Sequence, residues 1–380
     1  MEYKLPKYFK PLNSMSEPYI DKKSWELAKE AFEKEEYKKS AIYTISYINP
    51  KAFKGIDTSK DIKINSTHSN IDFEMVLTSK EFALKVELVE VDSNTNTTAL
   101  FRKVAELNFD YSNIVQLVLK DDRYLVFDYK EDLELLHPWK LYDVIMNIFF
   151  FCNDHLFLFI EEYKAKPIKP IKKQKLSKKN EDLVLNQIKE LLDEYEKRRE
   201  YLIKNLKSDY RWDILAIILF QLSNMPYLQG KLYKELIEKI DILYDEDLDI
   251  EKKIHLVENY IEELKGLDDN YLRECIYNVD YFVPQRRDKD LLEEFLIEEE
   301  KTLQKIKDNH FAVSHFLFVL FLRLKYRFHL TKKDETLIDK TLFLISYNQP
   351  EKDVAERLIR VYDKLLNQKS SSNLLNWLFG

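Results

Sequence analysis

The chain has 380 residues, is 45% apolar, carries a formal net charge of −7 and contains only four glycines. That length predicts two or three domains, and the apolar fraction is ample for sizeable cores. The acidic balance argues against a uniformly basic nucleic-acid surface. The scarcity of glycine argues against dinucleotide folds and phosphate-cradling loops, which need positive φ.

Residues 1–20 hold three prolines and no apolar periodicity, which predicts an extended arm. Its start has no apolar core of the kind a signal peptide carries, so none is expected. Asp21 can cap a helix from about Ser24 to Ile48, with Trp25, Ala28, Phe32, Ile42 and Ile45 facing inward. Its charged middle, residues 33–39, reads as a solvated turn or a break. Asn49 and Pro50 stop it.

Residues 61–130 have the strongest strand character. Ile71, Phe73, Met75 and Leu77 alternate with Asp72, Glu74 and Val76, and Phe82, Leu84, Val86 and Leu88 alternate with Ala83, Lys85 and Glu87. A period of two puts one set on each face, and residues 78–81 are short enough for a hairpin. The shift of apolar residues to Val89 and Val91 marks a bulge or the strand's end. Residues 61–66 form a weaker first strand. Residues 115–120 and 124–129 form a last pair, turned by Asp121 and Asp122 without glycine. Between these groups Leu100, Val104 and Leu107 share one helix face. Pro138 suits the first turn of a long apolar helix to about Tyr163. Asp143, Asn147 and residues 153–155 interrupt it, so it is read as a buried helix and no transmembrane span is expected.

Residues 164–179 hold eight lysines, two prolines and no acid. They read as an extended linker. From residue 180 only helix signals occur. Candidate helices are 181–207, 211–223, 229–244, 250–265, 269–280, 288–307, 309–329, 333–346 and 351–367, with Pro226, Gly230, Gly266, Pro284 and Pro350 between them. The most apolar, around residues 212–222 and 311–322, are expected at the centre. A serine run then leads to an apolar tip.

The expected fold is therefore an α+β domain (α-β-β-β-α-β-β-α, antiparallel sheet) at 21–163, preceded by the arm at 1–20. A Lys/Pro linker at 164–179, an all-α domain at 180–368 and a tail at 369–380 follow.

No catalytic, cofactor-binding or metal motif emerges. Gly-x-Ser-x-Gly, His-Glu-x-x-His and Cys-x-x-Cys are absent. His310 and His315 are five apart, which spreads them by roughly 140° on a helix, unlike an i, i+4 metal pair. Asn153, Asp154 and His155 are either a buried polar site or, more plainly, a solvent face or hydrogen-bonded notch. Cys152 and Cys275 read as reduced thiols of a cytoplasmic protein. Candidate partner-binding residues are Tyr3, Leu5, Tyr8 and Phe9 on the arm, Val76 on the nominally polar sheet face, and Trp377, Leu378 and Phe379 at the tip. Lys172, Lys173, Lys175, Lys178 and Lys179 could touch nucleic acid or anionic lipid, but they lack interleaved aromatics for base stacking. Nucleic acid is therefore disfavoured as a partner.

The order helix, three strands, helix, two strands, helix over 21–163, with the middle helix from Leu100 to Phe109 and the hairpin from Ile114 to Tyr129, resembles the type III secretion chaperone-like fold of the class I effector chaperones and the YbjN family. That resemblance implies a small acidic non-enzymatic domain, often dimeric, that binds protein segments. The long helical second domain and the lysine linker depart from the stand-alone chaperones. The expectation is a protein-binding adaptor, chaperone or scaffold component in the bacterial cytoplasm, with other proteins or a second copy as partner. The alternatives are an enzyme or effector with a site in the helical domain, and a nucleic-acid- or membrane-associated protein acting through the lysines.

Overall fold

The computed structural model describes the chain except residues 1–2, 13–15, 112–113, 288–290 and 380, and the side chains of 110–111 and 368–379. Two compact units result. A sheet unit comprises Met15–Gln174 and Asn278–Gln285. A helical unit comprises Met1–Ser14, Lys175–Tyr277 and Arg286–Gly380.

The sheet unit follows the expected order. The first helix is two helices, α1 (Lys22–Glu33) and α2 (Tyr37–Ile48), broken where Glu35 takes positive φ. Strands β1 (Ile62–His68), β2 (Ile71–Leu77) and β3 (Glu81–Glu90) precede helix α3 (Thr97–Tyr111). Strands β4 (Val118–Lys120) and β5 (Tyr124–Asp132) and helix α4 (Pro138–Glu161) follow it. The antiparallel order is β1-β2-β3-β5-β4. The apolar shift after Leu88 is a bulge, seen as a register change between Glu87 and Val89. Ser69 and Asn70 turn the first hairpin, and Asp121 and Asp122 turn the last, all at positive φ. Asn and Asp tolerate that region better than most side chains, which lets a glycine-poor chain make tight turns.

The alternation decides which face is dry. Phe73, Met75, Phe82, Leu84, Val86 and Phe127 are buried in one core with Ile45 of α2, Leu100 of α3 and Ile145, Ile148 and Phe149 of α4. Helix α4 is the one helix among the described residues long and apolar enough to cross a membrane, and its apolar side chains form this core. His155 does not lie on a solvent face. It is buried, with its ring 4.8 Å from that of Phe151.

The second sheet face carries ion pairs: Lys63–Glu74 at 2.7 Å, Lys85–Glu87 at 2.6 Å, Lys120–Asp128 at 2.6 Å and Lys130–Glu81 at 2.8 Å. An antiparallel sheet can leave one face to water when that face is polar. Val76 is half-buried, with Lys63 and Ala83 as its cross-strand neighbours.

Two further boundaries differ from expectation. The lysine-rich stretch is not a free linker throughout. Lys166–Pro167 form a short strand β6 on β3, Lys169 pairs with Asp72 at 2.7 Å, and the Lys172 amide donates to the Asn70 side chain at 2.7 Å. The helix expected over 269–280 ends early, and residues 278–285 join the sheet unit. There the Phe282 ring lies 4.8 Å from both Phe73 and Phe149. The Asn49 side chain donates to the Phe282 carbonyl at 3.0 Å. Local sequence marks only the proline at 284. It carries no record of the aromatic slot that takes Phe282.

The helical unit contains α5 (Lys178–Lys204), α6 (Arg211–Ser223), α7 (Gly230–Tyr244), α8 (Ile250–Lys265), α9 (Asp269–Glu274), α10 (Leu292–Ile306), α11 (His310–Arg327), α12 (Lys332–Ile345) and α13 (Lys352–Phe379). Helices α6 and α11 are central, as their all-round apolarity predicts. Helix α13 continues through the serine run, which no glycine or proline interrupts before Gly380, so the tail is not a separate segment. Trp377, Leu378 and Phe379 fall within its bounds, and their side chains lie outside the described residues.

Candidate functional site

Helices that are apolar all round still carry a few polar side chains, and in a dry core those need partners. Gln221 in α6 and His315 and Lys325 in α11 are among them. All three are buried, and each makes at least one hydrogen bond to the arm. Residues 3–12 of the arm therefore belong to the helical unit. Tyr3, Leu5 and Tyr8 are buried in the core of the helical unit, and Phe9 packs half-buried against it. An arm with several aromatic and aliphatic side chains is driven to burial, but its irregular spacing does not say where.

Residues 3–12 form no helix or strand, so their main-chain groups must be satisfied from outside. The Leu5 amide donates to the Asn348 carbonyl at 2.9 Å, and the Tyr347 amide donates to the Leu5 carbonyl at 3.2 Å. Arg198 also donates to that carbonyl, at 3.4 Å. The Gln221 side chain donates to the Lys7 carbonyl at 3.0 Å and accepts from the Phe9 amide at 2.9 Å. The Tyr8 amide donates to Ser346 Oγ at 2.8 Å, and the Leu12 amide to the Tyr227 hydroxyl at 3.2 Å. In an extended chain the carbonyl of residue 7 and the amide of residue 9 point to one edge, and the amide of residue 8 to the other. Gln221 and Ser346 thus hold the backbone around Tyr8 from both edges, as two neighbouring strands would.

Three side-chain slots accompany this backbone reading. The Tyr3 ring lies 5.0 Å from Tyr201 and 5.0 Å from Phe311, and its hydroxyl is 2.5 Å from His315 Nε2. His315 Nδ1 is 2.7 Å from the Phe311 carbonyl, which can only accept. Nδ1 therefore carries the proton, Nε2 is the acceptor, and the Tyr3 hydroxyl donates. Burial pushes the His315 imidazole down to about 4, with Lys207 and Arg198 adding to the shift, so the ring is neutral at pH 7. Burial also raises the Tyr3 phenol, which keeps its proton.

Leu5 fills the second slot with no exposed surface. In the third slot the Tyr8 hydroxyl donates to Asp339 Oδ1 at 2.6 Å and accepts from Lys325 Nζ at 2.8 Å. Lys325 also pairs with Asp339. Burial lowers the Lys325 ammonium, and Asp339 opposes that shift. At the rim Lys7 meets Glu190 at 2.6 Å and Lys10 approaches Asp339 at 3.6 Å. Nearby, α5, α6 and α8 are tied by Glu258. It accepts from Arg211 at 2.8 Å, Tyr195 at 2.8 Å and Arg199 at 3.1 Å.

The structure brings Tyr3, Leu5, Tyr8 and Phe9 together, and places Val76 in the other unit. The lysine candidates do not converge on this groove. Lys175 pairs with Glu274 at 3.1 Å, and Lys178 and Lys179 open α5 as exposed residues. Residue reading missed Gln221, Ser346, Lys325 and Asp339, and took His315 as an ordinary helix residue. A lone glutamine or lysine inside an apolar helix was the available signal. Among the described residues no group of three or more His, Cys, Asp or Glu side chains is placed to hold a metal ion. Comparison with family models, curated proteins and solved structures finds no match for the chain.

Proposed function

We propose that this protein is a non-enzymatic protein-binding adaptor or chaperone-like scaffold of a bacterial cytoplasmic assembly, and that the helical unit is its binding element. One observation carries the reading. The unit holds residues 3–12 as a binding module holds a peptide, through main-chain hydrogen bonds plus slots for alternate side chains. Gln221 and Ser346 read backbone and are indifferent to sequence, while His315, Lys325 and Asp339 select side chains. The element order of the sheet unit supports the same class, since the secretion chaperone-like proteins that it resembles bind protein segments. The charged sheet face lends this reading no support.

The test is affinity capture from the native host with three full-length chains: the natural one, Leu5→Asp to loosen the arm, and Leu5→Asp combined with Gln221→Leu. A partner captured more strongly by the first variant, lost from the double variant, and able to bind in purified form supports the proposal. Identical capture by all three, or none by any, overturns it.

A further inference from the structure

We infer that the groove takes an extended segment of another protein with a defined pattern, and that residues 3–12 compete with that segment in cis. The pattern is a hydroxyl-bearing aromatic, an aliphatic residue two positions on and a second hydroxyl-bearing aromatic three positions after that. The inference rests on the reading above and names the partner chemistry of the same site.

The pattern follows from what each slot demands. His315 Nε2 is an acceptor held in that tautomer by the Phe311 carbonyl, so the first slot asks for a hydroxyl donor on an aromatic ring. The Leu5 slot is fully dry and asks for an aliphatic side chain. The last slot offers the Asp339 carboxylate and the Lys325 ammonium to a single oxygen, so a tyrosine satisfies both and a phenylalanine neither. Glu190 and Asp339 at the rim favour basic residues between and after the slots, where the arm has Lys7 and Lys10.

Two features make the occupant replaceable. The arm's partners, from Glu190 onward, lie at least 183 residues away in sequence. All but a few of its hydrogen bonds are made to side chains. It can therefore leave without opening a turn of any helix. A tethered segment acts at an effective concentration on the order of 1 mM. If the arm itself, as a free segment, holds the groove with a Kd of about 1 μM, an outside segment binds the intact chain roughly 1,000-fold more weakly than a chain whose arm is gone. The arm sets a threshold that only an abundant, tethered or pattern-matched partner crosses.

The experiment uses the full chain with a protease site inserted after residue 14, cut once the protein has folded. The probe is a fluorescent peptide of residues 1–14, followed by anisotropy. The cut chain takes up the probe, and the uncut chain binds it at least about 100-fold more weakly. Tyr3→Phe and Tyr8→Phe probes each bind several-fold more weakly, and a Leu5→Asp probe does not bind. The inference is overturned if the cut chain keeps its circular dichroism and sharp unfolding transition yet takes up no probe. It is equally overturned if cutting unfolds the chain, because the arm is then an inseparable part of the core. Concentration-dependent dimers of the uncut chain that vanish with Leu5→Asp would make a second copy's arm the occupant, and would also overturn it. Probe uptake without any captured host partner would sink the adaptor reading alone. A Gln221-dependent host partner without probe uptake would sink only this inference.

Discussion

Replacing Gln221 by leucine isolates the main-chain reading of the arm. Leucine has similar volume and suits an apolar helix, so the packing term is small. What is lost is the pair of hydrogen bonds at 3.0 and 2.9 Å to the Lys7 carbonyl and the Phe9 amide. Stranding a buried donor or acceptor costs about 1–3 kcal/mol, and both groups here are half-buried, so the pair should cost about 2–4 kcal/mol in arm docking. At 1.4 kcal/mol per tenfold, that is roughly 30- to 700-fold more frequent opening. The assay is native-state hydrogen exchange read by mass spectrometry on the peptide spanning residues 3–12, with urea unfolding of the whole chain alongside. Exchange in the arm should accelerate by that factor. The global midpoint should move less, because opening the arm is a sub-global event. If Gln221→Leu folds and arm exchange stays within threefold of the natural chain, Gln221 does not hold the arm and the groove argument fails.

Three more outcomes are expected. The His315 imidazole is held near 4 against 6.5 in the unfolded chain, so the native state binds fewer protons between those values. Stability is then fully present above pH 6.5 and falls by about 3 kcal/mol as pH drops to 4. Asp213, which burial pushes up to about 7, works in the opposite sense, so the check is the pH-dependent difference in urea midpoint between the natural chain and His315→Gln. Phe282→Ala should destabilise the sheet unit by about 3–5 kcal/mol in thermal unfolding, because it empties a slot between Phe73 and Phe149. Lys85→Ala and Lys130→Ala should each change stability by less than about 1 kcal/mol, because their ion pairs face solvent. A larger loss in urea unfolding would show that the face is not solvated.

The periodic parts of this fold were legible in the sequence. Alternation placed Ile71, Phe73, Met75 and Leu77 on the buried side of β2, and apolar runs bounded by Pro226, Gly266 and Pro350 gave most helices of the second unit. The same alternation already carried the answer about the other sheet face. Glu74 lies opposite Lys85 across β2 and β3, and Lys85 pairs with Glu87 along β3, which describes a charged, solvated ladder. Residues 3–12 and 278–285 were not legible. Each is a short irregular segment whose partners are distant in sequence, so nothing in its own spacing reports them. Because the sheet unit takes Phe282 and the helical unit takes the arm, a cut within residues 164–179 would leave each fragment short of a piece of its own core.

The chemistry that holds the arm bears on whether it can leave. A strand torn from a sheet exposes unpaired amides and carbonyls along both edges of the gap. The helices around residues 3–12 lose no internal hydrogen bond when the arm departs. What remains is mainly a set of side chains, Gln221, Ser346, Tyr227 and His315, that water can satisfy. The hydrogen-bonding cost of an empty groove is thereby reduced to rehydration. The apolar slots of Leu5 and the two tyrosine rings are then the main force for occupancy. That force is non-directional, so it retains any segment that presents the same shapes. The directional groups, His315 above Tyr3 and the Lys325–Asp339 pair around Tyr8, decide which segment fits.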